Sequence, residues 1–251
     1  MFHAKLRGMV SPEDFAEAEE QPVATKMLLA VTLLLMVGSY AMPSGTSDDF
    51  PEKKSKAADI VALPAPMREG RMSLEEAISR RHSVREFAKE PLNEQELSQL
   101  LWAAQGITRR EGYRAAPSAG ALYPLELYVA TPNGFYHYRP REHQLKRFAD
   151  RDLRPALYRA GLEQESLLEA PAVFVIAAVY ERMGQKYGQA RTPRYIHMEA
   201  GHAAQNLLLE AVALGLGSVP VGAFHDDEVR RVLSLPTDHR PIYLLPVGHP
   251  R

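Results

Sequence analysis

Leu214-Gly215-Leu216-Gly217-Ser218-Val219-Pro220-Val221-Gly222 is the stretch on which the architecture turns. A long helical pattern predicted from Arg194 to Leu214 runs into it, and an apolar strand resumes at Val219 to Val221. A dinucleotide-binding βαβ unit needs its glycine-rich turn in the opposite setting, after a strand and before a helix. Gly215-Leu216-Gly217 therefore reads as a helix stop followed by a strand. The doubly wound fold, with its tightly held nicotinamide dinucleotide, is unsupported on that order.

Upstream, Ala172 to Val179 is an unbroken apolar run of strand length, the pattern of a central strand buried on both faces. Leu125 to Ala130 alternates, Pro132-Asn133-Gly134 is a turn, and Phe135 to Tyr138 returns as the partner strand, with His137 read as a cross-strand residue. Ser73 and Glu76 form a capping-box pair, so a helix is expected from Ser73 to about Arg81; Asn93 and Glu96 repeat the pattern for a helix ending at Gly106. A helix from Leu153 to Gly161, a short helix from Asp226 to Leu233 and a last strand from Ile242 to Val247 complete the reading. Helices first, then strands with hairpin-like neighbours, predict an α+β fold: a mostly antiparallel sheet flanked by helices.

The chain has 251 residues, 45% of them hydrophobic, enough for one domain with a sizeable core and an appendage. A net charge of −1 with basic residues spread along the chain gives no footprint for nucleic acid. There is no cysteine, which excludes disulfides, thiolate nucleophiles and thiolate metal sites. At the front, residues 1–26 form an acidic extension with Glu13, Asp14, Glu17, Glu19 and Glu20. Residues 27–42 are apolar and end in Ser39-Tyr40-Ala41, small residues suited to cleavage, so a signal peptide or signal anchor and an exported, extracytoplasmic protein are expected. The membrane would be met only through this segment. Residues 43–70, rich in Pro, Ser, Lys and Asp, read as a flexible linker, and 71–251 as the functional domain.

Two runs carry chemistry. Arg81-His82-Ser83-Val84-Arg85 offers two guanidiniums and a hydroxyl at spacings of two, a donor set for a phosphate dianion. Its bland alternative is a surface pair of Arg85 with Glu86 or Glu90. Ala116 to Pro124 contains Pro117-Ser118-Ala119-Gly120, small and turn-prone, through which backbone can approach a flat ring; otherwise it is an ordinary turn into a strand. Together they read as a site for FMN. His197 and His202 stand five apart, not the four of a helical metal pair, so no metal site is expected. No Gly-x-Ser-x-Gly elbow is present.

With Leu100-Leu101-Trp102-Ala103-Ala104-Gln105-Gly106 and Gly201-His202-Ala203-Ala204-Gln205-Asn206-Leu207, these runs fall in an order that resembles the nitroreductase superfamily of flavoenzymes. Within it, the likeness is to SagB-type dehydrogenases, which include azoline oxidases of peptide natural-product pathways. The resemblance implies a three-layer α+β sandwich completed in an intertwined homodimer, with FMN at the subunit interface. It implies phosphate contacts from Arg81, Ser83 and Arg85, His82 beside the ring system, and Pro117, Ser118, Ala119 and Gly120 along the pyrimidine edge. Val221 and Gly222 match the strand end facing flavin N5, and Arg251 stands where relatives add a C-terminal basic contact. Gly201, Ala203 and Ala204 suggest close packing against a neighbouring subunit. Lys186 and Tyr187 resemble the Lys-Tyr pair that takes a substrate proton during dehydrogenation, although a solvated loop would look the same. The implied activity is hydride transfer on a small-molecule or peptide substrate, with NAD(P)H as a transient donor in the reductive direction. The rival reading is a noncatalytic flavin- or peptide-binding module that kept the fold.

Overall fold

The computed structural model describes residues 59–251. The acidic extension, the apolar segment 27–42 and the first part of the proposed linker lie outside the described residues. Among the described residues no helix is long and apolar enough to cross a membrane.

Seven strands form one sheet: β1 (Ile60–Ala62), β2 (Leu125–Thr131), β3 (Gly134–Arg139), β4 (Gln144–Ala149), β5 (Ala172–Val179), β6 (Gly217–Ser218) and β7 (His239–Gly248), in the order β1-β4-β3-β2-β5-β7-β6. Every neighbouring pair is antiparallel. The helices are α1 (Leu74–Arg80), α2 (Glu94–Gln105), α3 (Arg154–Ala160), α4 (Glu165–Glu169), α5 (Tyr180–Tyr187), α6 (Thr192–Ala213) and α7 (Asp226–Val232).

β5 is central because each of its side chains has a core to enter. Phe174, Ile176 and Ala178 point into one apolar cluster with Leu100, Leu101, Ala200, Ala203 and Leu207 of α2 and α6. Val173, Val175 and Ala177 point the other way, to Leu157, Leu167, Val229 and Leu233 of α3, α4 and α7. The period of two in the strand and the apolar stripes of the helices thus produce three layers, helix on sheet on helix. The expected α+β sandwich is the observed one.

The capping box forms in full at Asn93 and by half at Ser73, where the Glu76 carboxylate pairs with Arg80 instead of turning back to the cap. Ser73 Oγ accepts from the Glu76 amide, and Asn93 and Glu96 exchange side-chain-to-backbone bonds at 2.9 and 2.8 Å. The composition-based linker does not extend to residue 70. Ile60–Ala62 pairs with β4, and the Met67 amide donates to Gln99 Oε1 at 2.8 Å, because three apolar residues and one buried amide outweigh the flanking prolines. β4, α4 and α5 are additions to the sequence reading, and the strand expected at Val219 to Val221 forms one step earlier, as β6 at Gly217–Ser218, with Val221 left as an isolated bridge to Leu244. α7 starts at Asp226 as expected, with His225 at its N-cap.

Candidate active site

The basic run is fixed to the sheet edge by its backbone. The Val84 amide donates to the Ser218 carbonyl at 3.0 Å, the Ala88 amide to His249 at 2.9 Å, and Phe87 is fully buried. Gly217 permits this docking, since a Cβ there would fall 2.7 Å from Val84 Cβ. His82, Ser83 and Arg85 face solvent and Arg81 is half-buried. His82 Nδ1 donates to the Arg80 carbonyl at 2.9 Å. Arg80 pairs with Glu76, yet Arg81 and Arg85 make no ion pair with any carboxylate among the described residues, including Glu86 and Glu90. Two cations and a hydroxyl are therefore held on a rigid edge without internal partners, the state in which a phosphate group costs least to bind. Arg251 is differently occupied: it donates to the Phe87 carbonyl at 3.0 Å and faces Glu169 at 3.6 Å, closing the same edge from behind.

The strand end beyond β6 belongs to this half. Val221 spends both backbone groups on Leu244, at 2.8 and 3.0 Å, which leaves Gly222 as the next amide outside the ladder. Gly222 is exposed, and a Cβ there would meet only Tyr243 at 3.8 Å.

The second half is a strained turn. Gly120, Ala121 and Tyr123 all have positive φ, at 64°, 54° and 48°, the last two being costly for residues with a Cβ. Ser118 over-determines the turn: its hydroxyl oxygen accepts from the Tyr123 amide at 2.9 Å and its carbonyl from the Ala121 amide at 3.0 Å. Arg182 Nη1 adds a bond to the Tyr123 carbonyl at 3.1 Å. Against this turn α5 places the Lys-Tyr pair: a Cβ on Gly120 would lie 2.7 Å from Lys186 Nζ and 2.8 Å from Tyr187 Oη. Lys186 is thus helical, not part of a loop, and with Tyr187 it stands over the Pro117–Gly120 segment.

Around the turn lies a polar network that sequence reading missed. Glu126 accepts from Arg182 at 2.5 Å and from His137 Nε2 at 2.7 Å, so His137 does have a partner. Burial alone would raise the Glu126 carboxyl, but His137 and Arg182 outweigh it and hold it down at about 2. Arg114 donates to Gln105 Oε1 at 2.8 Å and lies over the Tyr123 ring; burial lowers its pKa against the pull of Glu126 and Glu199. Glu199, 2% exposed on α6, has neither carboxylate oxygen in hydrogen-bonding geometry with a partner. Burial pushes it up to about 7, with the Ser118 hydroxyl and Arg114 holding it back in part. A signal existed: Ile196, Ala200, Ala203 and Leu207 mark the apolar stripe of α6, and Glu199 interrupts it.

The stripe also corrects the reading of Ala203 and Ala204. Both are buried in this chain's own core against the sheet, while a Cβ on Gly201 would meet nothing within 4 Å.

The hydrogen bonds and bridges of the described residues hold the Arg81–Gly222 half and the Pro117–Tyr187 half to different parts of the fold. Comparison with known proteins places the arrangement. The model of the Nitroreductase family matches residues 78–249. A protein of Methanocaldococcus jannaschii named as a nitroreductase is 45% identical over 183 residues, covering 70% of this chain and 91% of that one. The microcin B17-processing protein McbC of Escherichia coli is 31% identical over 134 residues, 49% of this chain and 48% of its own length. A crystal structure from Ralstonia eutropha JMP134 described as a nitroreductase superposes with a TM-score of 0.68 at 32% identity, over 79% of this chain and 91% of that one. With the motif-bearing segments inside the matched range and the three-layer fold shared, the chain belongs to the nitroreductase family, a family of oxidoreductases.

Proposed function

We propose that the protein is an FMN-dependent oxidoreductase, similar to the SagB-type dehydrogenases, whose site is completed by a second copy of the chain. The observation that carries this reading is the unpaired donor set. Arg81, Ser83 and Arg85 are docked on the β6 edge with no carboxylate partner among the described residues, a donor set that fits a phosphate dianion. The turn Pro117-Ser118-Ala119-Gly120 suits the polar edge of an isoalloxazine, where backbone groups and the Ser118 hydroxyl can satisfy ring nitrogens and oxygens. The two halves are held by different elements, the first by β6 and the second by α5, an arrangement that suits a homodimer in which each copy contributes a different half to each site.

When bound, FMN would supply the two-electron carrier, taking hydride from NAD(P)H or a substrate and giving it to an acceptor. The chain's own part is positional and protonic. Arg81, Ser83 and Arg85 hold the phosphate, His82 lies beside them, and Gly222 leaves room for close approach at the strand end. Lys186 and Tyr187 stand where a substrate over the Gly120 turn would lose a proton, and Tyr187 can share that proton with the amine. A donor such as NAD(P)H asks for no such base. The likeness to McbC, by name a microcin B17-processing protein, favours a small-molecule or peptide substrate of the dehydrogenase kind.

Purified protein is expected to be yellow and to release FMN, not FAD, on denaturation. Arg81→Ala and Arg85→Ala should each weaken FMN binding about ten- to hundredfold, the loss of one charge-assisted contact of about 1.5–3 kcal/mol. Colourless protein that binds no added FMN, or wild-type affinity in both variants, overturns the reading. Bound FMN that neither NADH, NADPH nor any candidate substrate reduces would point instead to a noncatalytic module.

A further inference from the structure

α5 meets the strained turn at two points one helical turn apart. At the Gly120 end stand Lys186 and Tyr187, so close that a Cβ on Gly120 would fall 2.7 Å from Lys186 Nζ and 2.8 Å from Tyr187 Oη. At the Tyr123 end stands Arg182, four residues before Lys186 and therefore on the same face of the helix. Arg182 Nη1 donates to the Tyr123 carbonyl at 3.1 Å, and Nη2 pairs with Glu126 Oε1 at 2.5 Å. The second oxygen of Glu126 accepts from His137 Nε2 at 2.7 Å, which anchors the carboxylate to β3. One planar guanidinium thus ties together α5, the turn and the sheet.

We propose that Arg182 is a positioning residue that sets the register of α5 on the Pro117–Tyr123 turn, and with it the place of Lys186 and Tyr187 over the ligand lying there. This rests on the flavin reading of that turn, and Arg182 acts only through its neighbours. Two features leave the task to a side chain. The start of α5 is tied to the turn's exit by backbone, the Val179 amide donating to the Pro124 carbonyl at 2.8 Å, and the helix has no side-chain N-cap to set its rotation. The turn itself holds Ala121 and Tyr123 at φ of 54° and 48°, conformations that persist only where surrounding bonds over-determine them. Ser118 and the Arg114 amide, which donates to Tyr123 Oη at 3.1 Å, hold it from its own segment, and Arg182 holds it from α5. A lysine has no fork with which to reach the carbonyl and the carboxylate together. Arg182 and Lys186 are like charges one turn apart, and Glu126 offsets their repulsion.

Arg182→Lys keeps the charge beside Glu126 and removes the fork, so it tests the clamp without emptying the site of its cation. Hydrogen exchange on the FMN-free protein is the first readout. The amides of Ala121 and Tyr123, both bonded to Ser118, and of Gly188, bonded to the Gly184 carbonyl at the end of α5, should exchange about tenfold faster, the loss of one ordinary hydrogen bond. The amides of β5, which open only with the whole sheet, should keep wild-type rates. The second readout is the midpoint potential of bound FMN. Reduction puts negative charge on the ring edge that faces the turn and the Lys186 ammonium, so a slipped register should weaken reduced FMN about tenfold more than oxidised FMN. For a two-electron couple that is a potential about 30 mV lower, a ratio that loss of folded protein alone does not move. Wild-type exchange at all three amides, or acceleration matched in β5, overturns the inference. So does faster exchange at the turn with the potential of wild type, since Arg182 would then be structural only, and in both cases the flavin reading stands. Wild type that binds no FMN overturns the flavin reading, and the exchange rates then decide by themselves whether Arg182 holds α5 to the turn.

Discussion

Glu126 and Glu199 are two carboxyls of one neighbourhood pushed in opposite directions, and the difference lies in what each touches. Glu126 sits between Arg182 and His137, and its carboxyl falls from 4.5 to about 2 despite burial. A folded-state value below the unfolded one contributes stability that is complete above about pH 4.5 and lost as pH falls toward about 2. At about 1.4 kcal/mol per pH unit the full contribution is on the order of 3 kcal/mol. Glu126→Gln should therefore lower the midpoint of urea unfolding at neutral pH and flatten the acid limb of the stability profile; an acid limb identical to wild type would refute the assignment. Glu199, raised to about 7, has the reverse sign: it costs stability as pH rises through the interval from 4.5 to 7. That a costly acid, unpartnered among the described residues, stands in the apolar stripe of α6 is what makes it a functional candidate rather than packing.

Among the elements, the short β6 has an importance out of proportion to its two residues. It carries the bridge from Ser83 to Ser218 that orients the basic run, and Gly217 is the point at which Val84 comes closest. Gly217→Ala would set a Cβ 2.7 Å from Val84 Cβ, so the Arg81–Arg85 run must move while the β5–β7 core need not. FMN affinity should fall about tenfold or more with thermal stability changed by only a few degrees, measured by flavin fluorescence and calorimetry; unchanged affinity would show that the run tolerates displacement. The elements readable from sequence were those with strong local signals: the Ser73 and Asn93 caps, and β5, whose eight residues are all apolar. β4 was not legible because Gln144-Leu145-Lys146-Arg147 is mostly polar, with Leu145 alone of these fully buried. α5 hid behind Gly184 and a run of charged residues, and β1 behind flanking prolines. In the site, the motif residues were visible, whereas the pairing of Glu126 with Arg182 joins positions far apart in sequence and leaves no local trace. Glu199 belongs to no motif, and the histidine spacing and small residues around it draw the reading of that segment elsewhere.

At the scale of the whole molecule the question is what completes the site. The Arg81–Arg85 run is docked on the β6 edge and the Pro117–Gly120 turn lies against α5, two different elements of one chain. Near the Arg81–Arg85 run the described residues also expose apolar surface: Leu74 is 62% and Ile78 57% exposed on α1, beside a groove of about 720 Å³ lined by Met67, Met72, Trp102, Leu209 and Leu214. Adjacent exposed apolar side chains on a helix whose end carries the cations are the expected signature of a subunit interface. A second copy would cover that surface and bring its own turn to the donors, and an isologous pair would make two such sites. The domain spanning residues 59–251 should therefore behave as a dimer by light scattering and carry one FMN per chain. Leu74→Glu with Ile78→Glu, which puts charge on the apolar face and leaves Arg81, Ser83 and Arg85 in place, should yield monomer and lose FMN together, with circular dichroism showing that helices remain. A folded monomer of this variant that keeps its flavin would mean that one chain closes the site alone, and the two-copy arrangement would have to be abandoned.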